Sequence, residues 1–82
     1  MMNVHVQLYS PLKEFCGESR LELTLPEGAA ATLMLDTLAA RYPVIRPFLR
    51  NAQVIIQNEM VHPLHLLHEG DEVQLRLPMF GG

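Results

Sequence analysis

The residues of this sequence that could carry chemistry are few. His62, His65 and His68 recur at every third position, a spacing that raises the question of a metal site. In a loop that carries Pro63, this spacing does not bring three imidazoles together as a helix would, so we expect solvated loop histidines and no bound metal. Cys16 has no second cysteine and no adjacent histidine, which favours a packed thiol over a reactive one. No Ser-His-Asp or phosphate-loop pattern is present, and we expect no catalysis by this chain alone.

The end of the sequence is the other chemical feature, because its last residues are Gly81 and Gly82. Glycine has no Cβ, so a Gly-Gly end passes through a channel that side chains would block. Five residues from Pro78 reach roughly 15 Å when extended, which exceeds the radius of gyration of about 12 Å expected for such a domain. Such a terminus can react inside a partner's pocket while the folded body docks outside. The alternative is an ordinary frayed chain end.

Composition limits the functions that this chain can have. The chain has 82 residues, which fit a single domain. Hydrophobic residues make up 49% of it and charged residues 18%, which argues against a disordered chain. The net charge of −3 argues against nucleic-acid binding, and one cysteine excludes a disulfide framework or a four-thiolate metal site. We find no long apolar run that would span a membrane and no signal peptide, so we expect a cytoplasmic protein.

The elements that must position the tail follow from apolar periodicity. Period-two alternation predicts one strand at Val4, Val6 and Leu8, and a second at Leu21, Leu23 and Leu25, joined as an antiparallel hairpin. The β-branched run 54–56 predicts a central or nearly central strand. Asn58-Glu59 predicts a turn into a brief strand at Met60-Val61, and alternation at Val73, Leu75 and Leu77 predicts the last strand.

One main helix is expected between the second and third strands. Its apolar positions are spaced as on one helical face, at Ala31, Met34, Leu35, Leu38 and Tyr42. Pro43 ends the helix, a turn of helix is possible at 12–17, and 44–49 is a loop or a short helical turn. Ala30 occupies the N-cap position, with Thr32 or Gly28 as possible substitutes. We therefore predict an α+β fold with the helix on one face of a mixed sheet of four to five strands, formed by residues 1–77, and a flexible tail at 78–82.

Four segments of this chain resemble the ubiquitin-like β-grasp sulfur carriers, the MoaD/ThiS family. They are Leu12–Gly17, Leu38–Pro43, the Leu-x-x-Gly-Asp-Glu-Val segment at Leu67–Val73, and the terminal Gly81–Gly82. The first of them matches a Leu-Arg-Glu-x-x-Gly segment of the family. Gly-Gly a few residues beyond a strand that opens with Gly-Asp-Glu-Val is the most specific of these features. Length and tail are most like those of the small subunit of molybdopterin synthase.

The resemblance implies a function for the terminus. Gly82 would be adenylated by an E1-like adenylyltransferase of the MoeB type, which uses Mg-ATP, and converted to a thiocarboxylate. The tail would then enter the large catalytic subunit of molybdopterin synthase, of the MoaE type, and donate sulfur for molybdenum cofactor biosynthesis. The chain itself would bind no cofactor. Alternatives are a carrier for thiamin, cysteine or tRNA sulfur, and a ubiquitin-like modifier joined to lysines.

The same interpretation predicts which residues contact a partner. Met79 and Phe80 are apolar where a solvated tail is normally polar, so we expect them to dock in a partner's groove beside Pro78; the alternative is that Phe80 folds back on its own sheet. If Val54 and Ile56 face the helix, Ile55 faces away from it. We expect that outward sheet face to carry His5, Gln7, Ile55, Gln74 and Arg76. Of these we expect Ile55 and Arg76 to contact a partner; the alternative is that Ile55 is an isolated aliphatic residue on the surface.

Overall fold

The computed structural model describes residues 1–78 of the chain. In chain order its elements are β1 (Met2–Leu8), α1 (Leu12–Cys16), β2 (Arg20–Leu25), α2 (Ala31–Arg41), a 3-10 turn (Pro43–Ile45), α3 (Arg46–Leu49), β3 (Gln53–Ile56), β4 (Glu59–Met60) and β5 (Glu72–Arg76). None of the helices in this part of the chain has the length and apolar character needed to cross a bilayer.

Within residues 1–78 the strands form one five-stranded mixed sheet in the order β2-β1-β5-β3-β4. The predicted β1–β2 hairpin is confirmed, with Val4 opposite Leu23 in an antiparallel register. The last strand lies parallel to β1 and antiparallel to β3, which makes it the central strand of the sheet. It ends at Arg76, one residue before the predicted end. This is the β-grasp architecture that the sequence predicted.

The core lies between α2 and one face of the sheet. The predicted helical stripe is confirmed, because Ala31, Met34 and Leu38 are fully buried and Leu35 and Tyr42 pack partly against the core. The sheet contributes the apolar half of each alternation, with buried side chains at Val4, Val6, Leu8, Leu21, Leu23, Leu25, Val54, Val73 and Leu75. Helix α2 ends at Arg41, since Pro43 disfavours helical geometry in the residue before it.

The N-terminus of α2 is capped by a distant loop and not by a side chain. Ala30 is the N-cap residue and makes no side-chain capping bond, and neither Thr32 nor Gly28 replaces it. The backbone N–H of Ala31 donates to the carbonyl of His65 at 2.9 Å, and the N–H of Thr32 donates to the carbonyl of Pro63 at 2.8 Å. The loop that carries the three histidines therefore satisfies helix donors that would otherwise need a capping side chain.

The β3–β4 turn differs by one residue from the prediction. Gln57 and Asn58 form it, with φ of 53° and 65°, so β4 comprises Glu59–Met60 and not Met60–Val61. Two successive residues with positive φ are typical of the tight hairpin turn whose twist matches that of the flanking strands. Asn tolerates this conformation, whereas Gln gives no signal of it in the sequence. The shift places Met60 directly opposite Ile55.

Candidate partner-docking site

The tail leaves the folded body from the end of the central strand. Leu77 follows β5 and is only 6% exposed, whereas Pro78 is exposed. The neighbouring strand β1 runs parallel to β5, so the C-terminal ends of the two strands lie side by side at one end of the sheet. The predicted functional residues Met79, Phe80, Gly81 and Gly82 lie outside the described residues. The structure therefore identifies the surface beside the start of the tail.

The sheet face that points away from α2 is called the open face here. Ile55 lies on it, as predicted: Val54 is buried and Ile56 packs against the core, and the side chain between them points the other way. Across the sheet, Ile55 pairs with Gln74 on one side and with Met60 on the other. Met60 is 67% exposed, so an apolar pair lies at the β4 edge of this face.

Arg76 lies on the same face and stacks on an aromatic ring. Its guanidinium carbon is 4.6 Å from the centroid of the Tyr9 ring, a cation–π geometry that also holds the long side chain against the sheet. The backbone N–H of Tyr9 donates to the carbonyl of Leu75 at 3.3 Å, which ties the end of β1 to the end of β5. We name the four side chains Tyr9, Ile55, Met60 and Arg76 the docking patch.

Tyr9 and Met60 belong to the docking patch but were missed in the sequence. Tyr9 continues the period-two phase of His5 and Gln7, so its placement on the open face was available from that pattern. Met60 was assigned to a strand one residue out of register. A one-residue slip moves a side chain to the opposite face, so its position could not be predicted without the turn geometry.

The other half of the open face is charged. Arg20 on β2 reaches across β1 to Glu72 on β5, with two guanidinium nitrogens 2.8 and 3.0 Å from its carboxylate oxygens. This hydrogen-bonded pairing lowers the pKa of Glu72 and raises that of Arg20. His5 lies 3.8 Å from the Glu22 carboxylate on the same face. Between the charged half and the docking patch lies a depression of about 410 Å³, whose lining includes Gln7, Tyr9, Ile55 and Gln74.

The remaining candidates for chemistry do not assemble into a site. Cys16 is half-buried, and burial, together with the nearby Glu18, raises the pKa of its thiol, which disfavours the reactive thiolate. Among residues 1–78, no group of three or more His, Cys, Asp or Glu side chains is placed to hold a metal ion. The ring Nδ1 of His62 instead accepts the backbone N–H of Leu64 at 3.0 Å.

Comparison with known proteins assigns the family. A sequence profile described as the ThiS family matches residues 6–82, nearly the whole chain, including Gly81 and Gly82. The chain belongs to the ThiS family. It is thus a ubiquitin-like sulfur carrier of the MoaD/ThiS type, as the four sequence segments indicated.

One relative and two solved structures illustrate the similarity. The chain is 30% identical over 84 residues to the molybdopterin synthase sulfur carrier subunit of Mycobacterium tuberculosis (strain ATCC 25618 / H37Rv), with 100% of both chains covered. It shares its fold with SAMP1 of Haloferax volcanii, with a TM-score of 0.83 at 21% identity over 98% of this chain and 99% of that one. It also matches a protein–protein complex of subunits 1 and 2 of the molybdopterin-converting factor from Helicobacter pylori 26695, with a TM-score of 0.68 at 21% identity over 99% of this chain and 100% of the matched chain.

Proposed function

We propose that this ThiS-family protein is the sulfur-carrying small subunit of a molybdopterin synthase. Gly82 carries the sulfur: its carboxylate attacks the α-phosphate of ATP, pyrophosphate leaves, and a sulfur nucleophile then displaces AMP to give a thiocarboxylate. The thiocarboxylate sulfur is the atom donated toward the dithiolene of molybdopterin. Mg-ATP is bound by the activating enzyme, and the chain itself binds no cofactor.

The full-length relative carries this proposal. The molybdopterin synthase sulfur carrier subunit of M. tuberculosis matches over its whole length, so the similarity includes the region of the terminal glycines. The fold supports it independently, because the last strand is the central one and the chain leaves it beside an exposed patch. A tail that starts there can enter a pocket while the patch contacts the rim of that pocket.

Two partners follow from this function. An E1-like adenylyltransferase activates Gly82, and a large catalytic subunit receives the thiocarboxylate. The H. pylori structure, a complex of two molybdopterin-converting factor subunits, supports a partner of the second kind. We infer that both partners contact the docking patch and the apolar residues Met79 and Phe80, since one short tail must be presented to each in turn. Pro78 begins that tail and limits its backbone freedom at the point where it leaves the domain.

Intact-mass spectrometry after co-expression with an E1-like enzyme tests the proposal. Replacement of one oxygen by sulfur adds about 16 Da at Gly82. A variant lacking Gly82 is the matched control, because its terminal carboxylate belongs to Gly81, one residue short of the reacting position, and the deletion removes no described contact. We expect the shift in the parent chain and not in the deletion variant. An unchanged mass in the presence of an enzyme that thiolates a known carrier would contradict the proposal.

A second candidate function is protein modification. The fold match to SAMP1, described for the same species as small archaeal modifier protein 1, favours keeping this alternative. In that case Gly82 is joined to lysines of other proteins, and immunoblots of cell lysate show a ladder of higher mass that disappears when Gly82 is deleted. Carriers that serve thiamin, cysteine or tRNA thiolation are separated by gene neighbourhood. A neighbouring synthase large subunit supports the molybdopterin assignment, and a thiazole or cysteine synthase contradicts it.

A further inference from the structure

Strand β2 forms one border of the sheet, and its outer edge pairs with no other strand of residues 1–78. The opposite border is β4, which has two residues and is followed closely by Pro63, so little of that edge can pair. In contrast, β2 has six residues and contains neither proline nor glycine. A long and regular edge strand presents unpaired backbone groups to any further strand that approaches it.

The hydrogen bonds of β1 show which backbone groups are available at this edge. The N–H of Leu8 donates to the carbonyl of Ser19 at 2.8 Å, whereas the N–H of His5 donates toward β5, to the carbonyl of Asp71, at 2.9 Å. Because an antiparallel ladder alternates, even-numbered residues of β1 bond to odd-numbered residues of β2. The even-numbered residues of β2 therefore direct their N–H and C=O groups away from β1; they are Arg20, Glu22 and Thr24.

The side chains of these edge residues lie on the open face and carry both signs of charge. Arg20 is hydrogen-bonded to Glu72 of its own chain, as described above. The Glu22 side chain is 57% exposed, and its ion-pair partner is His5, 3.8 Å away, which is charged only when it is protonated. The Glu22 carboxylate thus has room for a permanent cation beyond the edge, and Arg20 two positions earlier is a cation of the right kind.

We propose that two copies of this chain pair antiparallel through β2, with Leu21 of one copy opposite Leu21 of the other on a two-fold axis. In this register Arg20 of each copy lies opposite Glu22 of the other. Both residues direct their backbone groups outward, so each such pair exchanges two backbone hydrogen bonds in addition to the contact of opposite charges. The arrangement is isologous, because each copy contributes the same surface and the same two charged residues.

Other registers of the same strand are disfavoured. A register centred on Arg20 sets arginine against arginine, and one centred on Glu22 sets glutamate against glutamate. Like charges directly opposite each other destabilise a strand pair. A register centred on Leu23 places Arg20 opposite Pro26, which has no N–H to donate. The charge pattern of β2 is therefore complementary to itself in the proposed register, which is why we assign the edge to a second copy and not to an unrelated strand.

The expected dimer is weak and leaves the docking patch exposed. Pairing of one six-residue strand with its copy is at the low end of interface size, so we expect a dissociation constant of roughly 0.1–1 mM. The docking patch lies on β3, β4 and the ends of β1 and β5, away from the outer edge of β2. Both copies can therefore bind a partner while paired. The inference is independent of the proposed function.

A dilution series of the full-length chain, labelled with nitrogen-15 and followed by NMR, tests for the dimer. Between roughly 20 μM and 2 mM we expect the translational diffusion coefficient to fall as the concentration rises. Over the same range the amide hydrogens of Arg20, Glu22 and Thr24 should exchange more slowly, because pairing removes them from water. Diffusion and exchange that stay constant over the whole range would overturn the proposal.

Charge variants test the register. Glu22→Arg and Arg20→Glu each set like charges against each other, and each should weaken self-association at least about tenfold. An equimolar mixture of the two variants restores opposite charges at both positions and should associate as strongly as the parent chain. Glu59→Arg makes the same change in net charge as Glu22→Arg but on β4, and should leave self-association unchanged.

The mixture is the decisive measurement, because Arg20→Glu also removes the pairing with Glu72 within its own chain. Circular dichroism spectra equal to that of the parent show that both variants fold. A mixture that associates no better than the single variants would overturn the proposed register. An equal loss of association in Glu59→Arg, or its complete loss in Ile55→Thr, would place the contact elsewhere on the molecule and would overturn pairing through β2.

Discussion

Replacing Leu77 by alanine tests where the folded body ends and the tail begins. Leu77 is 6% exposed and belongs to the core, although it lies one residue beyond β5. Removal of a buried leucine side chain costs about 2–5 kcal/mol, and a site at the border of the core relaxes more easily, so we expect a loss of about 2–3 kcal/mol in the free energy of unfolding. For a domain of this size that corresponds to a fall of about 10–20 °C in Tm.

The adjacent Pro78 provides the matched control. It is exposed, so Pro78→Ala should change the free energy of unfolding by no more than about 0.5 kcal/mol. Urea titrations followed by circular dichroism measure both variants, and equal m-values show that the unfolded states are comparable. If Leu77→Ala lost less than about 1 kcal/mol, the core would end at Leu75 and the tail would be longer than five residues. A large loss in Pro78→Ala would move the boundary the other way.

Three further predictions address docking and charge. Phe80→Ala should keep the fold and weaken binding to the activating enzyme by about 1–3 kcal/mol, or roughly tenfold to a hundredfold in affinity, as measured by titration calorimetry. An unchanged affinity would mean that Phe80 contacts its own domain. Ile55→Thr keeps the β-branched shape and should weaken binding to the activating enzyme, whereas Glu22→Gln on the charged half of the open face should leave that binding unchanged. Equal losses of affinity for both variants in calorimetry would refute an apolar docking patch. The pairing of Glu72 with Arg20 holds the pKa of Glu72 below its ordinary value of 4.5, so the pair stabilises the fold above that pH and loses this effect as the pH falls through the lower folded pKa. Glu72→Gln should therefore reduce the pH dependence of the free energy of unfolding, measured by urea titration, between roughly pH 5 and 3. An unchanged pH dependence in this variant would refute the coupling.

The local elements of this fold follow from sequence because their signals are local. Alternation over Val4, Val6 and Leu8 requires one buried sheet face, and the helical stripe from Ala31 to Leu38 requires one buried helix face. The orientation of Ile55 followed from the same period of two. The family was also recognisable, because its most specific signals, the Gly-Asp-Glu-Val segment and the terminal Gly-Gly, are short and contiguous.

Features that depend on distant segments were decided by the tertiary structure. Pro63 and His65 cap α2 through backbone carbonyls, which every residue has, so no residue type in the loop announces that role. The turn at Gln57 and Asn58 shifted β4 by one residue, and the energy of that turn depends on the strands that it joins.

The surroundings of the tail show the same division. The sequence by itself determined that a Gly-Gly end follows the strand that carries Arg76, and that Ile55, on another strand, lies on an outward face. The tertiary structure decided that the strand before the tail is central and that Arg76 lies over Tyr9. The reason is physical: strand order and parallel pairing bring together residues more than 60 positions apart, and neither propensity nor periodicity encodes which edges meet.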